Sequence, residues 1–116
     1  MIYDGCTLEE LQMHFKNNKA LQEAVEKKIN ALTLEEEDCI RMLKDDLKAI
    51  ELLNAGWTGA NAEKYVSWSL LENESLQKRV FQVISQEKEC LHDELKRLCF
   101  ESESISNLIE KATEKE

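Results

Sequence analysis

No proline occurs anywhere in the 116 residues of this chain, and two of its three glycines, Gly56 and Gly59, fall in one short stretch at mid-chain. Proline and glycine are the residues that most readily end a helix, so a sequence this poor in them has few places to stop one. The strong break is Asn54-Ala55-Gly56-Trp57-Thr58-Gly59-Ala60-Asn61. Everything before and after it is free to run as uninterrupted helix.

The periodicity agrees. Thr7-Leu8-Glu9-Glu10 has the form of a capping box, which places a helix start near residue 8. From there, alternating steps of four and three residues pick out Leu11, Phe15, Asn18, Gln22, Val25, Ile29, Leu32, Glu36, Cys39, Leu43, Asp46, Ile50, Leu53 and Trp57, ten of which are apolar. A seam of that length predicts one helix packed at a shallow angle in a coiled coil or bundle. Thr33-Leu34-Glu35-Glu36 is a second capping-box string, but no glycine or proline accompanies it and the seam passes through in register, so a continuous helix is expected. Beyond the break, a second seam starts with Tyr65, Trp68, Leu76, Val80 and Val83 and drifts into Ile84, Leu91, Leu95, Leu98, Ile105, Ile109 and Ala112. Drift of that kind follows from a period nearer 3.6 than 3.5.

The expected fold is therefore all-α. It is a single-domain antiparallel helical hairpin with one helix over about 8–54, a turn over 55–60 and a second helix over about 61–112. Gly56 is expected to take the left-handed position that closes the first helix, with Trp57 folding back on its last turn and Gly59 allowing the tight reversal. Leu34, Ile40, Leu47, Leu52, Leu70, Leu71 and Phe81 lie beside the seams and widen them. A lone hairpin would leave much of so broad a stripe wet, which predicts dimerisation into a four-helix bundle. The residues expected to pack are Val25, Ile29, Leu32, Leu43, Ile50, Leu53, Tyr65, Trp68, Leu76, Val80, Val83, Leu91, Leu95 and Leu98. Asn18, Gln22, Glu36 and Asp46 either select register and partner or lie just outside the packed surface.

Charge narrows the partners. The chain carries 24 acidic and 15 basic side chains, a net charge of −9, with the excess spread evenly over both halves. Without a basic patch, nucleic acid and anionic membrane surfaces are poor partners. No apolar run approaches the length of a membrane span. Met1 to Cys6 lacks the basic and apolar regions of a general secretory signal, so a cytoplasmic location, or export by another route, is expected.

Little in the sequence suggests catalysis. Glu89-Cys90-Leu91-His92 has the E-x-x-H spacing from which di-iron bundles build ligands, but with Leu91 in the seam, Glu89 and His92 flank the core and read as surface groups. His14 has no catalytic companion in sequence, and there is no glycine-rich phosphate loop. Cys6, Cys39, Cys90 and Cys99 form no C-x-x-C pair and read as reduced packing thiols; the surrounding acids oppose a lowered thiol pKa. No enzyme activity, metal or cofactor is expected.

The break itself carries a resemblance. Trp57-Thr58-Gly59 between two long proline-free helices, followed by Ala60, Ala62, Tyr65 and Trp68, resembles the WxG-motif (ESAT-like) family of small type VII (ESX-type) secretion substrates and partners. The likeness covers the whole architecture, while its specific residues occupy about a dozen positions. Two features depart from the family. The motif comes later in the chain than is usual, and no Y-x-x-x-D/E export string is present, since Phe100 is followed four positions on by Ser104 and Tyr65 by Ser69. Both departures are similar to those of the small helical proteins that accompany LXG-type toxins of Gram-positive bacteria. The resemblance implies a non-catalytic protein that forms a helical bundle with itself, with another small helical protein or with the N-terminal helical domain of such a toxin. The alternative is a cytoplasmic coiled-coil scaffold or adaptor unrelated to secretion.

Overall fold

In the computed structural model, which describes residue 3 and residues 5–114, the chain is a helical hairpin of two long helices with no strand among the described residues. Helix α1 spans Leu8–Gly56 and helix α2 spans Ala60–Glu114. Thr7 caps α1 as expected, the Glu10 amide donating to Thr7 Oγ1 at 3.2 Å, while the Glu10 carboxylate accepts from the Thr7 hydroxyl at 3.3 Å rather than from the Thr7 amide as in a full capping box. The rival start at Thr33 does not interrupt the helix.

The turn is shorter than expected and rests on Gly59 without a left-handed Gly56. Gly56 is the last residue of α1 rather than a left-handed cap, and the Trp57 amide still donates to the Leu53 carbonyl at 2.9 Å. The positive φ falls on Gly59, at 116°, whose carbonyl accepts the first bond of α2 from the Glu63 amide at 3.0 Å. One glycine is enough because the reversal needs a single residue outside ordinary L-residue space, immediately before α2.

Packing divides the chain into two compact units, residues 1–30 with 89–116 and residues 31–88. In the first, Leu11, Asn18, Gln22 and Val25 of α1 are buried together with Leu98, Ser102 and Ile105 of α2. Ile105 is fully enclosed. The buried polar residues are bonded to one another: Gln22 Nε2 donates to Asn18 Oδ1 at 2.6 Å and the Cys99 thiol lies 3.5 Å from Gln22 Oε1. Leu91 and Leu95 are half-buried beside them. On the exposed side, Arg97 bridges Glu94 and Glu101, and its hydrogen bond to Glu94 holds that carboxyl below the usual carboxylate range while raising the guanidinium.

The second unit is thinner. No α1 residue in it is fully buried; Leu32, Cys39, Ile40, Leu43, Leu47 and Ile50 are half-buried, and the covered residues of α2 are Ala62, Val66, Asn73 and Ile84. Glu36, a polar member of the α1 seam, meets Lys88 at 3.7 Å with both side chains about four-fifths covered. No buried side-chain nitrogen or oxygen among the described residues lacks a hydrogen-bond partner. The four cysteines are free thiols.

Candidate functional site

The unit around the turn separates two surfaces of α2 that its sequence pattern merges into one. Asn73 decides the separation. Its Nδ2 donates to the Leu43 carbonyl of α1 at 2.8 Å, and Gln77 Nε2 donates to Asn73 Oδ1 at 2.7 Å. A helix carbonyl keeps a free lone pair after its own ladder bond, so this polar contact is satisfied at no expense to α1. It also fixes the rotation of α2. Positions seven or eleven residues from Asn73, namely Ala62, Val66, Val80 and Ile84, lie within about 20° of it at roughly 100° per residue. All four are buried or half-buried. Trp68, five residues away, is turned about 140° from that face.

The single seam expected on α2 is thus corrected to two stripes. Val80, Leu91, Leu95 and Leu98 belong to the intrachain face, whereas Tyr65, Trp68, Leu76 and Val83 stand outside it and are exposed. On α1 the expected packing residues are covered except at the turn end: Val25 is buried and Ile29, Leu32, Leu43 and Ile50 are half-buried, but Leu53, expected to pack, is exposed, as is the polar seam member Asp46. The Asn73–Gln77 pair had a sequence signal that hydrophobic periodicity ignores. It repeats the Asn18–Gln22 spacing, an asparagine and a glutamine one helical turn apart.

What the second stripe presents is aromatic. The Trp57 ring packs against α2: it lies 5.8 Å from that of Tyr65, tilted by 53°, and Tyr65 lies 6.4 Å from Trp68 at 47°. These are attractive tilted geometries. Trp57, Tyr65 and Trp68 are nonetheless 42%, 48% and 61% exposed. Beside them runs a groove of about 300 Å³, walled by Leu43, Asp46 and Ile50 of α1 and by Tyr65, Trp68 and Leu76 of α2, with Asn73 among its lining residues. Five of the expected packing residues therefore line one open groove. Leu52, Leu53 and Leu71 of the same unit are exposed as well, Leu71 beside Trp68. Tyr65, Trp68, Leu70, Leu71 and Leu76 thus put exposed aromatic and aliphatic area together on one short stretch of α2.

No known protein comes forward as a relative: no family model, no curated protein and no solved structure matches the chain.

The remaining sequence candidates are dispersed. Glu89 and His92 are both exposed, and no group of three His, Cys, Asp or Glu side chains is placed to hold a metal ion among the described residues. His14 is exposed with its ring 5.2 Å from Tyr3. Among the described residues, no helix is long and apolar enough to cross a membrane.

Proposed function

We propose that this chain is a non-catalytic partner protein of a type VII (ESX-type) export route, docking with a second helical hairpin or with the helical N-terminal domain of an LXG-type toxin to complete a four-helix bundle. The observation that carries the reading is the exposed Trp57–Tyr65–Trp68 stripe beside the W-x-G turn, set away from the face that the hairpin uses to hold itself together. Covering that stripe removes apolar area from water at about 25 cal/mol per Å², and the half-buried α1 residues of the same unit gain cover at the same time. The W-x-G turn resemblance supplies the export context. The acidic surface suits partners with basic flanks and disfavours nucleic acid and lipid.

The test is co-expression with the LXG-type or small helical proteins encoded beside this gene, followed by purification on a tag carried by the partner. Co-purification that is lost in the Trp57→Ala/Trp68→Ala double variant, with deletion of the gene lowering the amount of partner outside the cell, supports the reading. A partner exported equally well without this chain overturns it.

A further inference from the structure

We propose that the exposed stripe of α2 is a two-fold self-docking surface, on which a second copy of this chain lays its own α2 antiparallel with the dyad passing between Ser75 and Leu76. This rests on the reading above only in treating the stripe as a docking face. Tyr65, Trp68, Glu72, Leu76, Arg79 and Val83 follow one another by steps of 3, 4, 4, 3 and 4, which is 18 residues in five turns, and all six are exposed. Such a run keeps to one side of a straight helix. At its centre lies a shallow hollow of about 310 Å³ lined by Trp68, Leu71, Glu72, Ser75, Leu76 and Arg79.

The charges choose the occupant. Glu72 and Arg79 are the only charged members of the stripe, opposite in sign and equidistant from its centre. Neither has an ion-pair partner among the described residues, whereas Arg41, Lys78, Lys88 and Arg97 each have one. When two copies of a helix pack antiparallel about a dyad, residues equally far before and after it stand level. Glu72 then meets Arg79 of the second copy twice over, and Trp68 lies level with its Val83. A parallel pairing would set like charge on like. A uniformly basic partner helix would be repelled by Arg79 and a uniformly acidic one by Glu72, while a second copy matches both.

The test is the mass in solution against concentration, for the full chain and for Glu72→Arg and Arg79→Glu separately and mixed. The parent should pass from 13.5 kDa towards twice that mass as concentration rises. Each single reversal turns two attractive contacts into two repulsive ones, and the dimer constant should weaken by roughly 10- to 100-fold, less at high salt. In an equimolar mixture, one variant offers two cations where the other offers two carboxylates, so the mixed dimer should recover the parent's affinity. Helical content by circular dichroism guards against misfolding of the variants. A parent that stays monomeric, single variants that dimerise like the parent, or a mixture no tighter than either variant alone each overturns the proposal. None of those results touches the co-purification test, so a failure here is distinct from a failure of the export reading.

Discussion

Trp68→Ala separates the two faces of α2 most sharply, because a tryptophan in a hairpin core and one on a docking surface respond in opposite ways. With 61% of Trp68 exposed, about two-fifths of a tryptophan's ~250 Å² is covered within the chain, or roughly 100 Å². At ~25 cal/mol per Å² that is about 2.5 kcal/mol gross. Alanine keeps part of this burial and the unfolded chain is itself partly compact, leaving about 1 kcal/mol for the isolated hairpin. Ile105, with no exposed surface, is the internal standard: Ile105→Ala should cost about 3–4 kcal/mol, through lost transfer energy and a residual cavity. Urea unfolding followed by circular dichroism reads both. With a slope of about 2 kcal/mol per molar, the midpoint should fall by roughly 1.5–2 M for Ile105→Ala and about 0.5 M for Trp68→Ala in dilute protein. The Trp68→Ala deficit should then grow as protein concentration rises, because association stabilises the parent by mass action and the variant less. A deficit of 3 kcal/mol or more that is the same at every concentration would place Trp68 in the hairpin core and refute this account of the stripe.

Three further outcomes follow from particular residues. Gly59→Ala should cost about 1–2 kcal/mol from backbone conformation alone, since φ is 116° and a Cβ there meets nothing within 4 Å, whereas Gly56→Ala, helical and equally open, should stabilise by about 0.5–1 kcal/mol; thermal melts of both check this. Asn73→Ala should cost about 1–2 kcal/mol by removing the donor to the Leu43 carbonyl and stranding Gln77, with Gln77→Ala the milder change because Asn73 keeps its main bond. The Glu94 carboxyl, held down by its hydrogen bond to Arg97, should titrate below an ordinary glutamate by NMR and return towards the usual value in Arg97→Gln. Because its pKa is lowered on folding, whatever small stability it lends is complete above the unfolded glutamate pKa and is lost as pH falls through the lowered value.

Much of the fold was legible because two features of the chain leave little freedom. Without proline, and with glycine concentrated at mid-chain, the helices could only be long and the reversal could only lie near residues 56–59. The α1 seam was readable down to the Asn18–Gln22 pair because three- and four-residue steps survive intact along it. The rotation of α2 was not readable. Hydrophobic periodicity assigns tryptophan and tyrosine to the core and asparagine to water, yet Asn73 is buried by a bond to a main-chain carbonyl thirty residues away. A contact of that separation leaves no periodic trace, and its consequence is to turn Tyr65 and Trp68 outward. The cap role expected of Gly56 is overturned for a related reason. Gly56 and Gly59 are equally permissive, and which of them takes the positive φ depends on where α1 stops, which the helix settles by continuing through Gly56.

The claim that matters most is that the tryptophan-bearing stripe is the surface a partner covers, and the chain contains only Trp57 and Trp68 to report on it. Acrylamide quenching of tryptophan fluorescence across a wide concentration range of the purified protein tests it directly. Quenching should be efficient in dilute protein, where both rings are partly wet, and should fall as concentration rises, in step with the growth in mass. Quenching that stays the same while the mass doubles would mean that another face makes the dimer, and would contradict the assignment.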